Sequence, residues 1–315
     1  MPRGRYAPSP TGELHLGNAS SALLAWLSVR SRGGSFVMRM EDIDHSRVRP
    51  GLAEQILSDL EWLGIDWDEG SDRGGPHEPY VQSLRSERYD LAFRRLLETG
   101  RLYPCFCSRK EVAAAASAPQ LPGDEVRYPG RCRGLDPAEA ERRIAAGERH
   151  AFRFAVNDGA AAHFDDLFQG RITQEPPGDF VIRRSDGVSA YQLVVVVDDA
   201  EMEIDEVVRG NDLLASTGRQ LLLYEALGHS PPRFGHVPLL VDTDGVRLSK
   251  RQQGITLREL RGAGFTAETI VGRLASMLGL QDGSDPVPAR ALVAEFTPEA
   301  IAAAPTEIAV DVGTW

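Results

Sequence analysis

Residues 4–100 alternate short apolar runs with helical stripes, each closed by a turn, and that order leaves few architectures open. Gly4–Ala7 reads as a strand running into Pro8-Ser9-Pro10. Leu23, Leu24, Trp26 and Leu27 then fall on one helical face. Ser35–Met40 reads as a second strand ending at Glu41-Asp42, and Leu52, Ile56, Leu60 and Leu63 as a second helical stripe closed by Gly64. A further helix spans Leu84–Leu97 before Gly100. Strand–helix–strand–helix predicts an α/β fold with a parallel sheet.

The pattern breaks near residue 101, where three cysteines and Pro119, Pro122, Gly123 and Pro129 mark an irregular segment. Short strand-like runs follow at Ala151–Val156 and Phe180–Arg183, while Ala113–Ala116 reads as helix or loop. The α/β pattern resumes at Tyr191–Val197. The core of that run, Leu193–Val197, is the longest strongly apolar stretch and reads as a buried strand. Glu206–Val208 predicts another strand, and a helix is expected around Arg219–Leu227. From about Thr256 the spacing of Leu257, Leu260, Ile270, Leu274 and Leu278 is helical. Four segments are expected: 1–100 and 186–255 as halves of one sheet, 101–185 as an insertion, and 256–315 as a small helical subdomain.

No stretch approaches the roughly 20 apolar residues of a membrane span. No apolar core follows the Arg-rich N-terminus. A cytoplasmic protein without a membrane partner is expected. The net charge of −11 speaks against a nucleic-acid partner, but residues 101–153 carry ten Lys/Arg against seven Asp/Glu. A locally basic face on an acidic protein remains compatible with RNA.

Two distant turns carry the chemistry. Of the 35 Lys and Arg residues, only Lys110 and Lys250 are lysines. A compact ammonium kept at Lys250, next to Ser249 in a loop flanked by Gly245 and Gly254, suits neutralisation of phosphate charge. Near the N-terminus, His15-Leu16-Gly17-Asn18 opens the first helix. A helix N-terminus favours an anion, Gly17 admits close backbone approach, and His15 can donate to a phosphate oxygen.

The pair resembles the HIGH and KMSKS signatures of class I aminoacyl-tRNA synthetases. The wording is closest to the glutamyl branch: Ala7–Asn18, Arg39-Met40-Glu41-Asp42-Ile43-Asp44, Val196-Val197-Asp198-Asp199-Ala200 and Val207–Leu213 all resemble it. The likeness spans residues 3 to about 255. Asn18 stands where the wider class often has a second histidine, and the Arg247–Arg251 loop keeps the Ser and Lys without the usual start. The resemblance implies a Rossmann-like catalytic sheet, ATP binding by His15, Gly17, Asn18, Ser249 and Lys250, and catalysis by His15 and Lys250. A glutamate site needs arginines for the side-chain carboxylate and an acid for the ammonium group. By resemblance these are Arg5 and Arg209, and Glu41. Tyr191 joins the pocket, as does the stretch Arg5, Tyr6, Ala7, Pro8 and Ser9.

Cys105, Cys107 and Cys132 offer three thiolates toward a tetrahedral zinc ion. From composition alone the fourth ligand is His150, Glu111 or Tyr128. Cys-x-Cys followed by Tyr-x-x-x-Cys resembles the zinc site of the glutamyl-queuosine tRNA(Asp) synthetases, which implies Tyr128 as ligand and one structural Zn2+ per chain. About 60 residues follow the Arg247–Arg251 loop, room for one small helical subdomain rather than an anticodon-binding region. The resemblance therefore implies tRNA-independent activation of L-glutamate with ATP, helped by Mg2+, and transfer to the queuosine of tRNA(Asp). No obligatory protein partner is expected. Alternatives are a short synthetase charging a tRNA 3′ end, an ATP-dependent ligase joining glutamate to a small amine, and a non-catalytic zinc-containing RNA-binding module.

Overall fold

A computed structural model describes residues 1–115, 127–157, 159, 161–175, 178–248, 255–311, 313 and 315. In chain order its elements begin with β1 (Arg3–Tyr6), α1 (Leu16–Arg30), β2 (Ser35–Met38), α2 (Leu52–Trp62), β3 (Glu69–Gly70) and α3 (Ser86–Glu98). The middle holds β4 (Leu102–Cys105), α4 (Arg109–Ala115), α5 (Pro137–Ala145), β5 (Ala151–Phe154), β6 (Ala162–Asp166), β7 (Gly170–Gln174) and β8 (Phe180–Arg183). Then come α6 (Tyr191–Glu201), β9 (Glu206–Gly210), α7 (Leu214–Leu227), β10 (Arg233–Val237), β11 (Leu239–Val241), α8 (Leu257–Gly262), α9 (Ala267–Met277), α10 (Pro298–Ala302) and β12 (Glu307–Ala309).

The expected parallel sheet is present, five strands in the order β10-β9-β1-β2-β3. Side chains alternate across it. Phe36, Met38 and Val208 join the core beneath α1, α2, α8 and α9, while Val37 and Val207 join the core beneath α3, α6 and α7. A sheet covered on both faces needs apolar residues on both faces, which is why β2 and β9 read as short continuous apolar runs.

One expectation fails. Tyr191–Val197 is the first part of helix α6, not a strand. Leu193, Val194, Val195, Val196 and Val197 are all buried, because α6 lies between the sheet and its neighbours α3 and α7. A helix apolar on every side loses its 3.6-residue periodicity, and four successive valines mimic a buried strand. Packing overrides their weak helix preference.

Between α3 and α6 the chain forms an antiparallel sheet β4-β5-β8 and a separate hairpin, β6–β7, which the sequence reading missed. The C-terminal stretch carries α8, α9 and α10, and its β12 pairs in parallel with β11. The Leu239 N–H donates to the Thr306 carbonyl and the Val310 N–H to that of Val241. Among the described residues no helix is long and apolar enough to cross a membrane.

Candidate active site

The C-terminal ends of β1, β2 and β9 open into a cleft of about 380 Å3. This is where parallel α/β sheets place their ligands, because the loops leaving the strands diverge there. β1 and the turn after it supply Arg5, Tyr6, Ala7, Pro8 and Ser9. The start of α1 supplies His15, Gly17 and Asn18. Glu41 follows β2, Tyr191 begins α6 and Arg209 lies on β9. Every sequence-predicted substrate and nucleotide residue within the described part of the chain thus lines one cleft. Ser249 and Lys250 lie outside the described residues.

His15 is the N-cap of α1. Its Nδ1 accepts from the backbone N–H groups of Gly17 (3.1 Å) and Asn18 (3.4 Å). Backbone amides can only donate, so Nδ1 is an acceptor and the neutral ring carries its proton on Nε2. The Asn18 side chain accepts in return from the His15 backbone N–H at 3.3 Å. Asn18, the departure from the wider pattern, thereby completes a capping box. A Cβ on Gly17 would lie 3.1 Å from the His15 ring, so this glycine gives the imidazole room over the first turn.

Beside this turn the chain pairs with the far flank of the expected phosphate loop. The Leu16 N–H donates to Ile255 O at 3.3 Å and the Leu257 N–H to Leu14 O at 2.9 Å. On the near flank, Leu248 lines the cleft and its N–H donates to Leu240 O. Both described ends of the 249–254 segment therefore stand at the cleft.

A buried ionic network sets the acidic and basic groups. Arg39, fully buried, donates to Asp199 (2.7 Å) and Glu41 (3.1 Å) and lies 3.6 Å from Asp198. Arg5 Nε donates to the same Asp199 carboxylate at 3.4 Å. Burial pushes the Asp199 carboxyl upward, but Arg39 and Arg5 outweigh it and hold the group below the usual carboxylate range. Burial raises Glu41 despite the two arginines. An ammonium group arriving beside it favours the carboxylate. Asp198 in turn accepts from Arg85 (2.6 Å), Gln82 (3.0 Å) and Tyr89 (3.0 Å). The sequence reading gave Arg39, Asp198 and Asp199 no role of their own. The signal was present as a charged pair abutting the most apolar run, since buried charges require partners.

Arg209 differs. Its Nε donates to His236 Nε2 (3.1 Å), Nη1 to Gln220 Oε1 (2.8 Å) and Nη2 to Thr217 Oγ1 (2.7 Å). None of these acceptors is a carboxylate. Burial pulls the guanidinium below its ordinary value, and the nearby Arg5 cation adds to that. A buried cation facing a cleft with neutral partners is suited to an anionic ligand.

The second constellation lies at the end of β4. The sulfurs of Cys105, Cys107 and Cys132 all lie within 4.8 Å of one another. Cys107 and Cys132 are 3.7 Å apart, and Tyr128 Oη is 3.4 Å from Cys105 and 3.6 Å from Cys107. Four donors around a tetrahedral ion with metal–sulfur bonds of about 2.3 Å are spaced by about 3.8 Å. The cluster fits a metal ion. Of the three candidates for the fourth donor, Tyr128 is at the cluster. Glu111 caps Ser108 instead, and His150 Nδ1 faces the Glu148 carbonyl. Burial and the three sulfurs hold the Tyr128 phenol protonated, and a divalent cation at that point would reverse the sign. Arg153 stacks over the Tyr128 ring at 3.9 Å, which also favours a phenolate.

The chain is 54% identical to a glutamyl-Q tRNA(Asp) synthetase of Symbiobacterium thermophilum over 93% of this chain and 91% of that one. It is 44% identical to glutamate–tRNA ligase 2 of Acidithiobacillus ferrooxidans over 96% of this chain but 64% of that one. The crystal structure of glutamate-tRNA synthetase from Elizabethkingia anophelis superposes with a TM-score of 0.81 at 28% identity, covering 100% of this chain and 69% of that one. Residues 2–287 match the tRNA synthetases class I (E and Q), catalytic domain, and the chain belongs to that family.

Proposed function

We propose that this protein activates L-glutamate with ATP and transfers the glutamyl group to the queuosine at the wobble position of tRNA(Asp). The observation that carries this reading is the 54% identity to a glutamyl-Q tRNA(Asp) synthetase over nearly the whole of both chains. Arg5 and Arg209 hold the side-chain carboxylate of glutamate, Glu41 its ammonium group, and Tyr191 closes the pocket. The α-carboxylate is then left to attack the α-phosphorus of ATP. The phosphorus–oxygen bond to pyrophosphate breaks as the mixed anhydride forms. His15 meets the growing phosphate charge with its Nε2 proton, whose position the α1 cap dictates. Lys250 and Ser249 act on the same phosphates from the opposite loop. In the second step a hydroxyl of the queuosine cyclopentene ring attacks the anhydride carbonyl and AMP departs. Magnesium accompanies ATP.

Zinc is the ion proposed for Cys105, Cys107, Tyr128 and Cys132, in a structural role. The buried apolar cluster there consists of Cys105, Val112, Tyr128 and Cys132, too little to fold on its own. A cytoplasmic location follows from the tRNA substrate.

A second reading, charging of a tRNA 3′ end, draws on the 44% identity to a glutamate–tRNA ligase. Mass analysis of tRNA(Asp) after incubation with ATP and glutamate separates the two. Glutamate on the modified nucleoside, and no product with tRNA lacking queuosine, is the expected result. Glutamate on the terminal adenosine would replace this reading by the second. Adenylate formation with no tRNA product at all would favour a small-molecule acceptor.

A further inference from the structure

The β6–β7 hairpin, which belongs to the segment between the halves of the parallel sheet, ends against the amino-acid pocket. At its tip the Leu167 N–H donates to Phe234 O at 2.8 Å. Gly235 makes this contact possible, because a Cβ there would lie 2.6 Å from the Phe168 ring. The turn delivers Asp166 to β10. Asp166 Oδ1 accepts from the backbone N–H groups of Phe168 (3.0 Å), Gln169 (3.1 Å) and His236 (3.2 Å), and Oδ2 accepts from His236 Nδ1 at 2.5 Å. Both side chains of the Asp166–His236 pair are fully buried.

These contacts define a proton arrangement. Asp166 holds the His236 proton on Nδ1, which leaves Nε2 with a lone pair. Arg209 Nε, always a donor, points at that lone pair from 3.1 Å, and the Thr217 hydroxyl, also at 3.1 Å, shares it. A guanidinium has five N–H groups. His236, Gln220 and Thr217 take three of them. Among the described residues one N–H on each Nη has no partner, and two such donors can hold a carboxylate bidentately. Arg39 and Arg85, by contrast, spend their charge on Asp199, Glu41, Asp198 and Glu201.

We propose that Asp166 and His236 are positioning residues that orient Arg209 and leave its charge for the substrate, so that the hairpin sets selection for an acidic side chain. This rests on the reading that Arg209 holds the glutamate side-chain carboxylate. Asp166 stabilises the guanidinium from one imidazole away without occupying its free N–H groups. A carboxylate in direct contact would compete with the ligand.

Asp166→Asn tests the arrangement with almost no change in shape. Three backbone donors keep the amide oxygen on their side, so its NH2 faces His236 Nδ1. The ring must then carry its proton on Nε2, which removes the acceptor for Arg209 Nε–H and leaves Thr217 Oγ1, at 3.1 Å, to take that proton's hydrogen bond. The imidazole nitrogen and carbon NMR shifts of His236 read the tautomer without reference to any substrate. The Nδ1–H form is expected in the unmodified protein and the Nε2–H form in the variant. A cationic or Nε2–H ring in the unmodified protein overturns the proposal.

Glutamate-dependent pyrophosphate exchange reads the consequence. Asp166→Asn and His236→Ala are expected to raise KM for glutamate about tenfold, the scale of one charge-assisted hydrogen bond, with KM for ATP unchanged and discrimination against glutamine reduced. His236→Gln, which can offer an oxygen near the place of Nε2, is expected to recover part of the loss. Arg209→Ala serves as reference. A raised KM there, with normal values in Asp166→Asn and His236→Ala, overturns the positioning role alone. An unchanged KM in Arg209→Ala overturns the pocket assignment beneath it.

Discussion

The amino-acid pocket and the cysteine cluster are built on opposite principles. In the pocket, folding itself answers nearly every charge: Arg39 with Asp199 and Glu41, Asp198 with Arg85, and Arg5 with Asp199. Arg5 sits on β1 and Asp198 and Asp199 on α6, while Arg39 and Glu41 follow β2 and Arg85 precedes α3. The cluster instead gathers four donor atoms at the end of β4 around a small apolar core. The first site is organised by the chain's own ion pairs. The second, on the proposed reading, is one that a bound metal ion would complete. Stability of the pocket should therefore respond to changes in its arginines and acids, and that of the cluster to metal supply.

The largest expected effect is in the pocket. Arg39→Met removes the cation shared by Asp199, Glu41 and Asp198 and leaves buried carboxylates short of a partner. A loss of about 3–5 kcal/mol is expected in denaturant unfolding, the cost of breaking a buried ion pair from one side. A loss below about 1 kcal/mol would mean that water or rearrangement satisfies these acids, and the contrast between the sites would dissolve. A smaller effect is expected at the cluster. Removing zinc with a chelator should lower stability by about 1–3 kcal/mol, the range of a local defect, with no change in the Arg39→Met penalty. Cys132→Ser should bind less than one equivalent of zinc and show little further loss with chelator. A full equivalent of zinc in that variant would remove Cys132 from the ligand set.

What could be read from the sequence follows the same division. Helices α2 and α3 were legible because each is half-buried and keeps one apolar stripe, as Ile56 and Leu60 do on α2. Helix α6 was not, because burial on all sides erases the stripe. The pocket residues Arg5, Glu41 and Arg209 came from family likeness together with their expected places near strand ends, Tyr191 from the likeness alone, and the structure puts all four in one cleft. Cys105, Cys107 and Cys132 were legible as a group because three thiols within 28 residues have few other uses. The supporting layer was invisible. Asp166 and His236 are 70 residues apart and meet only because the hairpin β6–β7 packs on β10. His236 has no local spacing pattern to announce it, and Asp166 reads as an ordinary turn residue.

The smallest expected effect separates the sites by acid. Burial holds the His236 imidazole below its ordinary value, even though Asp166 pulls the other way. In the unfolded chain the ring titrates near its ordinary value of about 6.5. Between the folded and unfolded values the unfolded chain binds more protons, so stability rises with pH there. The contribution from a neutral His236 is complete above about pH 6.5 and is lost as pH falls through the folded value. Asp166 acts in the same direction at lower pH: burial pushes it up, but the His236 and Phe168 donors outweigh that and hold it below the usual range. Its share is lost only as pH falls below about 3.9 and through the folded value. Acid also protonates thiolate ligands and releases metal, so both sites weaken from pH 7.5 to 5. Melting curves across that interval for the unmodified protein, His236→Gln and Cys132→Ser divide the effect. If the buried imidazole dominates, the acid-induced fall in Tm shrinks in His236→Gln and persists in Cys132→Ser. The reverse pattern would assign the acid sensitivity to the metal cluster and leave the pocket indifferent to pH.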